Sequence, residues 1–529
     1  MNRDRLHLGL LGGLLLLYWT VSVRNLTILP PVYEDEPWQV STGWKLATEG
    51  VFGSDMFAGL YGMERHYYGY MPVHPLLLAA IFRAAGLGLF QARLEPVMMG
   101  LLTLALTFSL GRRLFGPEVG LLAVALLILV RLTGLTRFQL TGILFLDVAR
   151  IARYDMVVPV FGLASLHAYL SGRRSKVGAR PQALRRFALA GLLAGLAGLS
   201  HLYGAFWLIA LGLLALWDGI GRRGLLAMAA GFVAPWLPYL AYVLVGLPDW
   251  IGQTRGYAPR FDLLNPRWYW RNVLLESRRY GPGLGPASGD YLLRPGFWSA
   301  VIALPLSFLA LAERAIRKND RVARALVVPA LLLPALFALL IHLKLANYLV
   351  TIIPLWALAG AWGGISLWRR AGRDRGRRWM RAVLLVVLLL IGSEGAARIY
   401  RLRAAPGTTT PYADFIAQVH WYILPGSRVL GLQNYWLGLD DLDYRAWPVP
   451  LSQANPDYRP VPLTLEEALG NTAPDVILID PRMRDYFEGA PLAAQTILDW
   501  MEYEGYVRTV VIEDPTYGRM EVYKNRSEN

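Results

Sequence analysis

Cysteine is absent from all 529 residues. That excludes disulfide frameworks, thiolate nucleophiles and Cys-ligated zinc, and it leaves the redox compartment undetermined. Charge is scarce as well: Asp, Glu, Lys and Arg make up 17% of the chain, against about 25% in soluble domains. Histidine occurs seven times and never at a His-x₃-His or similar spacing, so no metal-ligand motif stands out. Beyond Ala405 there is no Gly-x-Gly-x-x-Gly, so nothing there argues for a nucleotide.

What is abundant is apolar surface, at 55% of residues. A membrane-spanning helix needs about 20 mostly apolar residues. Runs of this kind cover 6–23, 93–111, 117–133, 156–170, 187–217, 224–245, 297–312, 324–343, 347–368 and 382–398. Arg3 and Arg5 precede the first run as they would in a signal peptide, but no small-residue cleavage pattern follows Val23, so the run reads as a retained helix.

The formal charge of +15 sits largely in short loops: Arg173–Arg174–Lys176–Arg180–Arg185–Arg186, Arg222–Arg223, Arg314–Arg317–Lys318–Arg321 and Arg369–Arg370–Arg373–Arg375–Arg377–Arg378. Clusters between helices follow the positive-inside rule and set orientation, so the positive charge does not call for a nucleic-acid partner. With Met1 inside, residues 24–71, Asp155, the loop 246–296 and everything after Arg401 fall outside. An outside C-terminus needs an odd number of crossings. Segment 72–89, interrupted by Arg83, and segment 138–149, short and carrying Asp147, leave the expectation at 11 or 13.

The expected fold class is therefore an α-helical polytopic membrane protein with a small C-terminal α/β soluble domain. Residues 1–404 form the transmembrane catalytic domain, with extracytoplasmic loops 24–71 and 246–296, and residues 405–529 the extracytoplasmic α/β domain. In the latter, Val429–Leu432, Val476–Asp480, Val507–Ile512 and 519–524 read as strands, and 412–423, 464–470 and 490–503 as helices, in a Rossmann-like layering.

Several places can carry chemistry. Glu34, Asp35 and Glu36 are consecutive carboxylates at a membrane surface, where they repel one another and anionic headgroups; Asp35 and Glu36 are catalytic candidates, and the bland alternative is a solvated loop with a helix N-cap. Asp155 is a third candidate, beside Arg150 and Arg153, where the alternative is an interfacial anchor. Glu64, His66, Tyr67 and His74 lie between these points. Stacking on a sugar or isoprenoid, or an aromatic belt, fits them better than a metal, for which Glu64 and His66 are the weak candidates. In the loop 246–296, Tyr257, Arg260 and Arg271 combine guanidinium groups, which fork onto phosphate, with an aromatic face; an interfacial belt explains the neighbouring tryptophans equally well. Lys344 and Tyr348 stand at the outer end of a late helix, where a lysine either snorkels or meets a lipid phosphate.

The order of these features resembles the GT-C glycosyltransferases. They are a first helix followed by Asp35–Glu36, a Pro-flanked aromatic and His segment, a hairpin turning at Arg112–Arg113–Leu114–Phe115–Gly116, Arg153-x-Asp155, and Lys344 with Tyr348–Leu349 and Pro354. The bacterial protein O-mannosyltransferases and lipid A aminoarabinose transferases are the most similar branches, over residues 6 to about 400. The resemblance implies that Asp35 matches the catalytic aspartate, Asp155 the second acidic site and Lys344 a phosphate-facing lysine. At Glu64–Arg65–His66 the chain departs from the aminoarabinose transferases, which carry Glu-Lys-Pro-Pro; this counts against lipid A as acceptor and against a metal role for Glu64.

The resemblance also implies a polyprenyl-phosphate sugar as donor, membrane lipids as surroundings, and a lipid, glycan or protein as acceptor, in a multi-pass plasma-membrane enzyme working on the extracytoplasmic face. Inverting transfer from such a donor requires one carboxylate as base and cations on the departing phosphate, with no cofactor required and a divalent metal left open. The alternative, a transporter or flippase of lipid-linked sugars, predicts inverted repeats and mid-helix charges, and no repeat is visible. Reporter fusions at Gly283 and Gly407 should both report the extracytoplasmic side; a cytoplasmic signal at either position would overturn the topology.

Overall fold

The computed structural model describes residues 3–136, 138, 140–174, 181–284, 294–373, 375–458 and 461–526. Lys176 and Arg180 of one basic cluster, and residues 285–293 of the loop 246–296, lie outside them. The chain is helical as far as Ala404, and a five-stranded sheet follows.

Among the described residues, five helices are long and apolar enough to cross a membrane: Arg3–Val23, Leu89–Leu114, Pro181–Ser200, Arg321–Leu340 and the one that begins at Trp379. Arg222–Val233 with Trp236–Val245, bent by 42° at the break, makes a sixth if counted as one span. Several of the apolar runs behind the expected 11 or 13 crossings form helices shorter than that, among them Val73–Ala85, Pro117–Leu129 and Leu202–Trp217. The physical reason is interruption. The run 187–217 breaks at His201, where a 3₁₀ turn Leu202–Ala205 separates Pro181–Ser200 from Phe206–Trp217. Segment 138–149 holds only the short helix Leu144–Val148, and Val73–Ala85 has 13 residues. Neighbouring helices approach closely through glycine: a Cβ on Gly191 would collide with the Met228 carbonyl, and one on Gly231 with that of Ala188.

The C-terminal sheet has strand order β2-β1-β3-β5-β4, with β1 Arg428–Gly431, β2 Asp443–Ala446, β3 Val476–Ile479, β4 Tyr506–Asp514 and β5 Gly518–Asn525. Strand β1 pairs in parallel with β2 and β3, while β5 is antiparallel to both β3 and β4. β3 is buried at every position, as its Val-Ile-Leu-Ile sequence requires of a central strand. On one side of the sheet, Ile477 and Ile479 pack with Met483, Ile497 and Trp500. On the other, Val429 and Val522 share one buried cluster with Phe415 and Ile416 and with Val32, Val40, Phe57 and Leu60 from the start of the chain. The sheet and the segment after the first helix therefore have a common core.

A buried ion pair fixes that segment. We label the first four helices α1 (Arg3–Val23), α2 (Asp35–Thr48), α3 (Val73–Ala85) and α4 (Leu89–Leu114). Arg93 of α4 donates from Nε and Nη2 to the two carboxylate oxygens of Glu36 at the start of α2, both at 2.8 Å, and neither side chain is exposed. Its Nη1 donates to the carbonyls of Leu26 (2.7 Å) and Pro30 (2.9 Å). Each Glu36 oxygen takes a further backbone N–H, that of Ala152 on Oε1 and that of Tyr33 on Oε2, both at 2.8 Å. Removing one partner of such a pair strands a buried charge. Glu36→Leu or Arg93→Met alone should cost about 3–5 kcal/mol, and the double substitution much less, read as thermal unfolding of the purified chain.

Candidate active site

The three consecutive carboxylates are each paired with a different arginine from a distant part of the chain. Glu36 takes Arg93. Asp35 Oδ2 lies 2.9 Å from Arg153 Nη1, and Glu34 Oε2 contacts Arg482 of the C-terminal domain. The repulsion that makes the triplet unusual as a sequence is thus relieved by tertiary contacts. Burial pushes the Glu34 carboxyl above its ordinary range, with Arg482 the strongest influence in the other direction.

Arg153 bridges two of the predicted residues, since its Nε also lies 3.0 Å from Asp155 Oδ2. Arg153 and Asp155 are buried, whereas Asp35 remains 23% exposed, so of the two carboxylates on Arg153 it is Asp35 that a ligand can reach. Two carboxylates around one guanidinium leave this end of the site with one negative charge. The Glu36 carboxylate positions both sides of it: Asp35 is its chain neighbour, and the Ala152 N–H it accepts precedes Arg153.

Aromatic rings join this acidic end to a basic one. The Tyr203 hydroxyl donates to Asp155 Oδ1 at 3.3 Å, and its ring lies 4.1 Å from His201 and 4.9 Å from Tyr348. Tyr154 stacks on His201 at 4.4 Å. Beyond Tyr348, the Arg279 guanidinium stands 5.9 Å from that ring and 5.3 Å from Phe337. Glu276 accepts from Arg279 Nε at 2.7 Å and pairs with Lys344 Nζ at 2.8 Å. Lys344 also donates to the Ala338 carbonyl at 3.0 Å, capping the end of the helix Arg321–Leu340. Two cations share one carboxylate, which leaves one positive charge in a largely buried setting. Arg279 and Tyr280 form the polar end of a cavity of about 650 Å³ whose other walls are apolar, among them Leu304, Phe308, Leu331 and Trp356.

The remaining predicted residues fall elsewhere. Glu36, expected beside Asp35 as a catalytic carboxylate, is instead structural: its oxygens are saturated and closed to solvent. Arg150, expected to bind substrate, is likewise inaccessible. It donates to the carbonyls of Val21, Ser22, Arg24, Asn25 and Leu29, and so caps the end of α1. His74 is buried against Glu95, with Nδ1 3.3 Å from Oε2, between α3 and α4. Tyr67 is buried against Phe52 and Tyr70 rather than open to a ligand. His66 Nδ1 and Arg65 share Asp249 at 2.9 and 2.8 Å, a latch between the first extramembrane segment and the helix Leu247–Arg255. Glu64 contacts Arg65 and the Gly59 N–H, and no group of three or more metal-ligating side chains occurs among the described residues. Tyr257 is within electrostatic reach of Asp35 and Tyr348, with Arg260 4.7 Å over its ring. Arg271 is exposed on the helix Pro266–Leu274, away from these groups.

Sequence reasoning passed over Glu276, His201, Tyr203 and Arg482, and did not single out Arg279 from its neighbours. A signal existed for His201 and Tyr203, two polar rings inside a long apolar run. Arg279 and Glu276 stand three apart in the sequence, the spacing of a local ion pair, with Glu276 in the turn just before the helix that carries Arg279. Nothing local marks Arg482.

Comparison with solved structures shows that the chain shares its fold with ArnT and AglB, as the resemblance in sequence led us to expect. ArnT from Cupriavidus metallidurans, bound to undecaprenyl phosphate, superposes with a TM-score of 0.62 at 16% identity, over 98% of both chains. The oligosaccharyltransferase AglB from Archaeoglobus fulgidus, in complex with an inhibitory peptide and a dolichol-phosphate, gives a TM-score of 0.59 at 13% identity, over 100% of this chain and 75% of its own. No protein-family model and no curated protein matches the sequence.

Proposed function

We propose that this chain is an inverting glycosyltransferase that moves a sugar, hexose or pentose, from a polyprenyl-phosphate donor to an acceptor hydroxyl of a lipid, glycan or protein. The observation that carries the reading is the pair of oppositely charged poles: Asp35–Arg153–Asp155 at one end of the cluster of aromatic rings, and Arg279–Lys344–Glu276 at the other, where Arg279 lines an apolar cavity. A lipid phosphate needs both an apolar channel for its chain and an uncompensated cation for its headgroup. ArnT and AglB, which share the fold, hold undecaprenyl phosphate and a dolichol-phosphate.

In this reading the acceptor hydroxyl gives its proton to Asp35 while its oxygen attacks the anomeric carbon from the side opposite the phosphate. The carbon–oxygen bond to the phosphate breaks and its electron pair leaves with the polyprenyl phosphate. Arg279 and Lys344 meet the charge that develops there, and Arg153 orients Asp35. A polyprenyl phosphate is already a good leaving group, so the reaction needs no cofactor.

The extracytoplasmic side of the plasma membrane is favoured by helix polarity. The helix Val157–Arg174 starts two residues after Asp155 and ends in a basic cluster, and its 18 residues span about 27 Å, close to the hydrocarbon thickness of a bilayer. Arg321–Leu340 runs the other way, from basic residues toward Lys344.

The purified chain in lipid nanodiscs, given a cell-envelope extract as source of acceptor lipid, glycan and protein together with undecaprenyl-phosphate sugars or the matching nucleotide sugars, should transfer sugar to the extract and release undecaprenyl phosphate from the former and leave the latter intact. Transfer from the nucleotide sugar alone would overturn the donor, and translocation with the sugar–phosphate bond intact would favour a flippase. Asp35→Asn should keep the fold and lose roughly 10²- to 10⁴-fold in rate; near-normal turnover would remove Asp35 as the base. Lys344→Met should weaken undecaprenyl phosphate binding by roughly 10- to 100-fold, as expected for loss of a hydrogen bond to a charged group. Unchanged affinity would leave the lysine a helix cap only.

A further inference from the structure

The C-terminal domain reaches the acidic end of the site through the Arg482 side chain. Arg482 is the second residue of the helix Pro481–Gly489, and its Nη1 contacts Glu34 Oε2 across 448 residues of sequence. The helix that carries it starts from a fixed point. Asp480 accepts the Met483 N–H at 2.9 Å and the Tyr435 hydroxyl at 2.8 Å, and Pro481 packs so closely on Gly518 that a Cβ there would sit 2.6 Å from its ring. The domain cannot swing freely, because Arg445 donates to the Asp55 carbonyl at 2.8 Å, Gln453 to the Gly59 carbonyl at 2.7 Å, and the two regions share the core described above.

We propose that Arg482 is a positioning residue of the transferase: it neutralises Glu34 and holds the start of α2, so that Asp35 is presented to the acceptor beside Arg153. The proposal rests on the reading of Asp35 as the base. Of the charges that face Glu34, two are cationic, Arg482 and Arg153, and one is anionic, Asp35. Arg93 is already committed to Glu36, and Arg153 to Asp35 and Asp155. Without Arg482, Glu34 would compete with Asp35 for Arg153 and would place an unbalanced charge beside the group that must take up a proton. The pair is about one-third exposed, at 34% for Arg482 and 37% for Glu34, so it contributes little to folding. Its effect belongs in turnover.

The test uses the full chain, a panel of undecaprenyl-phosphate hexoses and pentoses as donors, and undecaprenyl phosphate itself as a binding probe. Arg482→Gln should lower kcat by roughly tenfold, leave undecaprenyl phosphate affinity unchanged, and move the acid limb of the pH–rate profile to higher pH. Removing the stranded charge as well, in Glu34→Gln/Arg482→Gln, should restore most of the lost rate, which a merely structural contact would not do. Wild-type kcat and pH profile in Arg482→Gln, or no recovery in the double variant, would overturn the positioning role while leaving the transferase reading intact. Absence of both turnover and undecaprenyl phosphate binding in the wild-type chain would overturn the two together.

Discussion

The Glu36 carboxylate is the constraint on which the rest of the site depends. It holds two guanidinium donors of Arg93 and the backbone N–H groups of Tyr33 and Ala152, four contacts to three parts of the chain, with no access to water. A buried ion pair contributes little net stability on desolvation grounds, but it is intolerant of alternatives, because any other register leaves a charge unpaired. That intolerance gives the geometry its definition. The residue before Glu36 is Asp35 and the residue after Ala152 is Arg153, so fixing one carboxylate sets the partners of the next pair.

Charge is then distributed by counting. The carboxylates of Glu34 and Glu36 are each matched by one arginine, and Asp35 and Asp155 share a third, leaving one negative charge at the end where the proposed reaction would take up a proton. At Glu276 the ratio is reversed, with two cations to one carboxylate, beside an apolar cavity. Tyr154, His201, Tyr203 and Tyr348 stack in a row of rings that links the poles, and such surroundings lower the local dielectric and strengthen whatever each pole holds. A base at one end and a departing phosphate at the other fit this arrangement of a negative end, an aromatic middle and a positive end.

The C-terminal domain is not an appendage to this device. Its sheet completes the hydrophobic core that covers the segment after α1, and its Arg482 supplies the third of the matching arginines. A boundary drawn at residue 404 marks where the sequence changes character from long apolar helices to short strands, and not where packing stops.

The sequence by itself determined the class of molecule and where its acid points lie. Apolar runs, arginine-rich turns and short β-branched strands are local properties, and they pointed to the helical region, to C-terminal strands at 429–432, 476–480, 507–512 and 519–524, each of which overlaps an observed strand, and to the conspicuous Glu34–Asp35–Glu36 triplet. It did not register strand β2, Asp443–Ala446, whose Asp-Tyr-Arg-Ala sequence has no apolar run. Nor did residue type and spacing separate Asp35 from Glu36, where only the family resemblance favoured Asp35, or Arg153 from Arg150. In each pair one residue serves the site and the other the scaffold, and the two differ only in which distant atoms they meet: Arg93 for Glu36, and the carbonyls that end α1 for Arg150. Glu276, Arg279 and Arg482 depended on tertiary structure for the same reason. The identity and spacing of residues record which charges are available, but burial and pairing across 57 to 448 positions decide which of them are neutralised and which remain to act.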